Sequence, residues 1–247
     1  MSLIDQEAIA RRKMTLFFLI DKSGSMFGSK IGSVNDAIEN VLPVIGSISD
    51  ENPDAEINVA ALEFSTGTRW LYDEPKEAIE FIWQQVSASG LTSLGAACRE
   101  LNSKLSRNRE EGGFMESSSG SYAPAIILLS DGGPTDDFAS GVATLKNNSW
   151  FKNAIKIAIA IGDDADKDVL KEFTGSMEAV LTVHNIEALK AMIRLVAVTS
   201  SQIGSKSTSA ADTSKQEQVI EEVNKAAADI DGVDTATSAD PGYDDWD

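Results

Sequence analysis

The sequence predicts an α/β fold: a doubly wound, mostly parallel sheet of six strands with one antiparallel edge strand and helices on both faces. Three observations predict it. Short, unbroken apolar runs recur along the chain, as in strands buried on both faces, where a half-exposed sheet would alternate polar and apolar residues. Between these runs lie segments whose apolar residues return at helical spacing. Finally, 247 residues at 42% hydrophobic content are enough to bury one sizeable core.

The first run is Met14 to Ile20 (Met-Thr-Leu-Phe-Phe-Leu-Ile). Val34, Ile38, Val41, Leu42 and Ile45 then form an apolar helical stripe. Glu56 to Phe64 is a second apolar strand; Ser65-Thr66-Gly67 is turn-like and leads into Thr68 to Tyr72, which predicts a hairpin and the antiparallel edge. Leu94, Ala97, Cys98, Leu101 and Leu105 make the next helical stripe. Arg109 to Tyr122, rich in Glu, Gly and Ser, reads as a surface loop. Strands follow at Ala125 to Leu129 and Ile155 to Ile161, a short helix at Asp166 to Phe173, a last strand at Ala179 to Val183 and a closing helix at Ile186 to Val198.

This pattern divides the chain into an N-terminal extension (1–13), one folded domain (14–200) and a flexible acidic tail (201–247). From Gly204 onward the composition turns to Ser, Thr, Ala and Asp, with few apolar residues to offset the entropy of ordering them. Within the tail, Val219, Val223, Ala226 and Ile230 can line one face of a short helix, and the chain ends Tyr243-Asp244-Asp245-Trp246-Asp247.

Charge and cysteine usage narrow the function classes. Asp and Glu number 39 against 21 Lys and Arg, a formal charge of -18, which repels a nucleic-acid backbone and an anionic bilayer. A single cysteine, Cys98, forms no disulfide within the chain. Its place on an apolar helical face predicts a buried, inert thiol. No apolar segment precedes the first strand, and no run approaches the roughly 20 residues of a membrane-spanning helix. A cytoplasmic location is the expectation.

The chemistry gathers at strand ends. Directly after the first strand stands Asp21-Lys22-Ser23-Gly24-Ser25, an Asp-x-Ser-x-Ser sequence. Ser130-Asp131-Gly132 follows the strand at 125–129, and Ser89-Gly90-Leu91-Thr92-Ser93 puts the Thr92 hydroxyl on a loop before a helix. Open α/β sheets bind ligands at the carboxyl ends of their strands. Three hydroxyls and two carboxylates, with no His or Cys, suit a hard divalent cation: Mg²⁺ first, with Mn²⁺ or Ca²⁺ as alternatives.

Asp21, Ser23, Ser25, Thr92 and Asp131 resemble, in order and spacing, the metal-ion-dependent adhesion site (MIDAS) of the von Willebrand factor A superfamily, whose fold is Rossmann-like. The resemblance spans about Met14 to Thr199. It implies that Ser23, Ser25 and commonly Thr92 touch the metal while Asp21 and often Asp131 act through water. It further implies that the ion binds a Glu or Asp carboxylate of a partner protein, which makes the chain an interaction module and not an enzyme. Tyr122-Ala123-Pro124-Ala125, Leu128 to Asp136 and Ala160 to Asp166 look like the bacterial, tellurium-resistance-associated TerY-like branch. That likeness implies a stress-response assembly with kinase or phosphatase partners.

Simpler structural roles compete at single positions. Taken alone, Asp21 or Asp131 fits a helix cap equally well. Asp163, Asp164 and Asp166 suggest capping, chiefly by Asp164 or Asp166, ahead of a second cation site. His184, the sole histidine, reads as a surface residue at a strand end, and leaves little room for a Ser-His-Asp system. Trp70 and Trp83 are expected to pack near the edge strand. Gly24 to Lys30 lacks the spacing of a phosphate-binding loop. The alternative function is a metal-assisted hydrolase using the same ion, with Asp136 or Asp163 as general base.

Overall fold

A computed structural model describes residues 11–117, 119–131, 133–206 and 213–236. Strands β1 (Arg12–Asp21), β2 (Ala55–Ser65), β5 (Ala125–Ser130), β6 (Ile155–Ile161) and β7 (Val180–Val183) form the parallel centre of the sheet. With β3 (Gly67–Trp70) and β8 (Val233–Asp234) at its margins, the strand order is β3-β2-β1-β5-β6-β7-β8. Strand β3 (Gly67–Trp70) pairs antiparallel with β2 through the turn at Ser65–Gly67, as expected of the hairpin. Two more antiparallel pieces bring the sheet to eight strands against the six expected: β4 (Lys76–Glu77) on β2, and β8 (Val233–Asp234) on β7. Each is two residues long, too short for a period-two signal.

The double-sided burial of β1 explains its unbroken apolar run. Met14, Leu16, Phe18 and Ile20 point to one face, against α1 (Ser29–Asp50), α6 (Ile186–Gly204) and α7 (Lys215–Ala227). Phe17 and Leu19 point to the other, with α2 (Leu94–Lys104), α3 (Phe138–Lys146), α4 (Ser149–Asn153) and α5 (Lys167–Thr174). Alternate residues of a strand face opposite ways, so both sets must be apolar. Each fully buried large side chain contributes about 1.5–3 kcal/mol relative to exposure.

The described part of the expected tail is folded, which corrects the boundary at 200. Helix α6 runs on to Gly204, and α7 buries Val219, Ile220, Val223 and Ala227 in the first core cluster. Of the stripe expected there, Val219 and Val223 are buried and Ile230 packs partly buried against the same cluster, whereas Ala226 is exposed and its place is taken by Ile220 and Ala227. Ser214 and Glu217 form a capping box at the start of α7, and Gln216 ties it to the sheet by accepting from Lys156 N–H at 2.5 Å and donating to Lys156 C=O at 2.9 Å. Residues 237–247, including the aromatic and acidic end, lie outside the described residues, as do 207–212 and 1–10. Arg12 and Lys13, placed by sequence in the N-terminal extension, belong to β1.

His184 is also corrected. It is 4% exposed, with Nδ1 2.7 Å from Asp163 Oδ1 and Nε2 2.9 Å from Asp234 Oδ2. The covering residue Asp234 comes from β8, the element the sequence did not reveal. Cys98 is fully buried, and burial pushes its thiol up to about 12. Trp70 packs with Phe17 and Phe114, and the buried Trp83 donates to Asn35 at 3.0 Å.

Candidate metal centre

Chain order reverses between β5 and β2, which flank β1 on opposite sides, so the crevice at the carboxyl end of β1 is a topological switch point. Parallel pairing sets Ile20 beside Leu129, which brings the next residues, Asp21 and Ser130, together at the mouth of that crevice. Ser130 donates from Oγ to Asp21 Oδ2 at 2.7 Å, and Ser23 N–H donates to Asp21 Oδ1 at 2.8 Å. The second bond folds the chain back after Asp21 and begins a 3₁₀ turn at Gly24–Met26. That turn carries Ser23 and Ser25 over the strand end, their hydroxyl oxygens 3.0 Å apart. Ser25 Oγ then donates to Asp131 Oδ1 at 2.6 Å, closing a contact between residues 106 positions apart.

Thr92 comes from a loop fastened to this turn. Ser89 N–H donates to Lys22 C=O at 2.7 Å and Gly24 N–H to Gly90 C=O at 3.0 Å. Gly90 has φ +82°, and a Cβ there would fall 2.5 Å from Thr66 Oγ1, so both backbone sign and space call for glycine. On its far side Thr92 pairs with Thr135, whose N–H donates to Thr92 C=O at 2.8 Å while its Oγ1 accepts from Thr92 N–H at 3.1 Å. Thus Asp21, Ser23, Ser25 and Asp131 meet directly, and the buried Thr92 sits on a loop bonded to theirs.

The electrostatics are unbalanced. Asp21 and Asp131 are 0% and 1% exposed. Burial holds the Asp21 carboxyl above its ordinary range, against the pull of its Ser130 and Ser23 hydrogen bonds, and the nearby Asp131 adds to the rise. Lys30 supplies positive charge, its Nζ 3.0 Å from Asp131 Oδ2. Nearby Glu63 is buried too. Burial raises its carboxyl, but Arg69 at 2.7 Å and Lys22 at 3.1 Å outweigh that and leave it below the ordinary value.

The residues present fit a hard divalent cation. All the converging donors are oxygens, two are buried carboxylates, and Ser25 is exposed toward solvent. Among the described residues no three His, Cys, Asp or Glu side chains group into a metal cage, so an ion here would rest on hydroxyls and this one acidic pair.

Sequence reasoning missed Lys30, Ser130 and Thr135. Ser130 was legible as the residue paired with Asp21 once the strands were aligned, whereas the reach of Lys30 from α1 depended on tertiary packing. Asp136 accepts from Gly95 N–H at 2.8 Å and Ala96 N–H at 2.7 Å, so it caps α2. Asp166 likewise caps α5, accepting from Val169 N–H at 3.2 Å, as expected.

Fold and crevice together define an α/β domain with an oxygen-lined cleft at its switch point. The chain belongs to the von Willebrand factor type A domain family, whose model matches residues 15–195. Domains of this family generally mediate protein–protein contacts, typically through a divalent ion.

Solved structures share the fold. A von Willebrand factor type A protein from Catenulispora acidiphila matches at 17% identity and TM-score 0.56, over 77% of this chain and 43% of that one. Proximal thread matrix protein 1 from the mussel byssus, with a zinc-occupied MIDAS motif, matches at 16% identity and TM-score 0.57, over 78% and 49%. The pilus adhesin SpaC from Lactobacillus rhamnosus GG matches at 15% identity and TM-score 0.56, over 87% and 31%. The chain therefore spans less than half the length of each. No curated protein matches the sequence. Among the described residues no helix is long and apolar enough to cross a membrane.

Proposed function

We propose that this chain is a metal-dependent interaction module whose MIDAS is made of Asp21, Ser23, Ser25, Thr92 and Asp131. Ser23, Ser25 and Thr92 hold the ion directly, Asp21 and Asp131 partly through water, and Mg²⁺ is the resident ion. When bound, the ion supplies an electrophilic position for a Glu or Asp carboxylate of a partner protein. The observation that carries this reading is the 2.6 Å bond from Ser25 to Asp131, which joins the two motif halves around buried carboxylates. Phe27 and Leu91, 80% and 57% exposed, stand on the two loops that frame the site. They favour a partner segment with apolar side chains beside its acidic one.

The commitment of Asp136 to two backbone N–H groups of α2 leaves it unsuited to act as a general base, and Asp163 lies against His184. This favours binding over hydrolysis. An intracellular, stress-response setting like that of the TerY-like proteins, with kinase or phosphatase partners, belongs to the same proposal and rests on the motifs at 122–125, 128–136 and 160–166.

Calorimetry of Mg²⁺ binding, followed by pull-down from native extract with Mg²⁺ or chelator, tests the reading. Wild type is expected to take up one ion and retain a partner only with metal, and Asp21→Ala to do neither. Partner retention unchanged by chelation would overturn it.

A further inference from the structure

At the opposite end of the sheet, about 30 Å along β1 from Asp21 by strand geometry, lies a cavity of ≈ 490 Å³. Four elements supply cations to its wall: Arg12 of β1, Lys152 of α4, Lys156 of β6 and Lys215 of α7, joined by Tyr122 and Gln216. Among the described residues no acidic one lines it, in a chain whose formal charge is -18. We propose that this cavity is an anion site that takes the phosphate group of a small phosphate monoester or inorganic phosphate itself.

The cations are brought together at a cost. The Arg12 guanidinium lies 3.9 Å from the centre of the Tyr122 ring and Lys215 Nζ 4.7 Å from the same centre, so two like charges sit against one aromatic ring. Lys215 is also the first residue of α7, where the helix's own N–H groups disfavour an ammonium. The nearest acid on that helix, Glu217, is turned to its cap, with Oε2 3.1 Å from Ser214 N. Lys156 Nζ donates to Ala154 C=O at 2.8 Å and Phe151 C=O at 3.1 Å, neutral partners that leave its charge uncompensated.

The consequence is visible in both lysines. Burial pulls Lys156 down to about 8, and burial followed by the Arg12 charge pulls Lys215 down to about 8, with no carboxylate among the described residues holding either up. An oxyanion would relieve this repulsion and accept charge-assisted hydrogen bonds from Arg12 and both ammoniums. The cavity volume falls in the range of small-ligand sites, roughly 300–1,000 Å³, so there is room for an organic group on the phosphate.

The test is isothermal calorimetry on the full chain with inorganic phosphate and, separately, glucose 6-phosphate. Runs at about pH 8 in two buffers of different ionisation enthalpy, with chloride setting ionic strength, report linked protons. Expected are saturable binding with net proton uptake, weakened about tenfold or more in Lys215→Gln and Lys156→Gln, and no change in Lys146→Gln, which removes the same charge elsewhere. Circular dichroism checks folding, and Lys152→Ala, at an exposed position, gives a weakened variant with no buried change. Tighter binding of the sugar phosphate makes a monoester the ligand; equal affinity makes it the dianion. No saturable heat, no proton uptake, or the same loss in Lys146→Gln would overturn the proposal.

Discussion

Lys30 places a fixed positive charge where a divalent ion would gain most, and its removal should strengthen metal binding. Its Nζ is 3.0 Å from Asp131 Oδ2, with side chains 15% and 0% exposed, so salt screens the pair little. At an effective dielectric of about 20 the attraction is roughly 5 kcal/mol. A metal ion that takes over Asp131 must replace that attraction, and rehydration of the freed ammonium returns part of it. A net penalty of about 1–3 kcal/mol on metal binding is expected, which is about 5- to 150-fold in affinity. Lys30→Met keeps the aliphatic stem and removes the charge. Titration calorimetry with Mg²⁺ or Mn²⁺ should show tighter binding in the variant by that factor. Without metal the variant leaves Asp131 buried and uncompensated, so it should melt below wild type, and saturating metal should narrow the gap. Equal affinity of wild type, Lys30→Met and Lys30→Gln would refute the reasoning, because it would mean that the ammonium does not compete for the carboxylate.

Three more outcomes follow from the fold. Lys156 and Lys215 are each pulled from the ordinary 10.5 to about 8, so between those values the unfolded chain binds more protons than the folded one. Their contribution makes stability rise with pH across that window; denaturant titrations should show this rise, reduced in the Lys156→Gln, Lys215→Gln double variant. Cys98, buried and pushed up to about 12, should resist iodoacetamide at neutral pH in the native state and react in denaturant; rapid native labelling would contradict its burial. A chain ending at Lys206 loses α7 and β8 with Val219, Ile220, Val223 and Ala227. It should lose several kcal/mol by the burial of those side chains and melt well below the full chain; an unchanged melting temperature would show that the segment is only loosely docked.

The central sheet was legible because its strands are buried on both faces and so read as unbroken apolar runs. Asp21, Ser23, Ser25 and Asp131 were legible for a related reason: they stand just beyond such runs, where parallel strands end together, whereas Thr92 is on a loop before α2. Lys30 and Thr135 were not, because each reaches the crevice from an element whose direction is set by packing and not by local pattern. The segment after 200 misled through composition. Its apolar residues are few, but at α7 they fall on a single face, and the capping box of Ser214 and Glu217 starts the helix where it can dock. His184 was misplaced for the same reason, since its cover, Asp234, belongs to that segment.

The short strands on the sheet's margins have a further consequence. At β3 and β4 on one side, and at β8 on the other, the outermost hydrogen-bonding row is only two to four residues long. An intruding polypeptide would find too little open ladder to extend the sheet by strand addition. A partner of the proposed module would thereby be directed to side-chain surfaces and loop clusters, where recognition depends on chemistry and not on backbone templating.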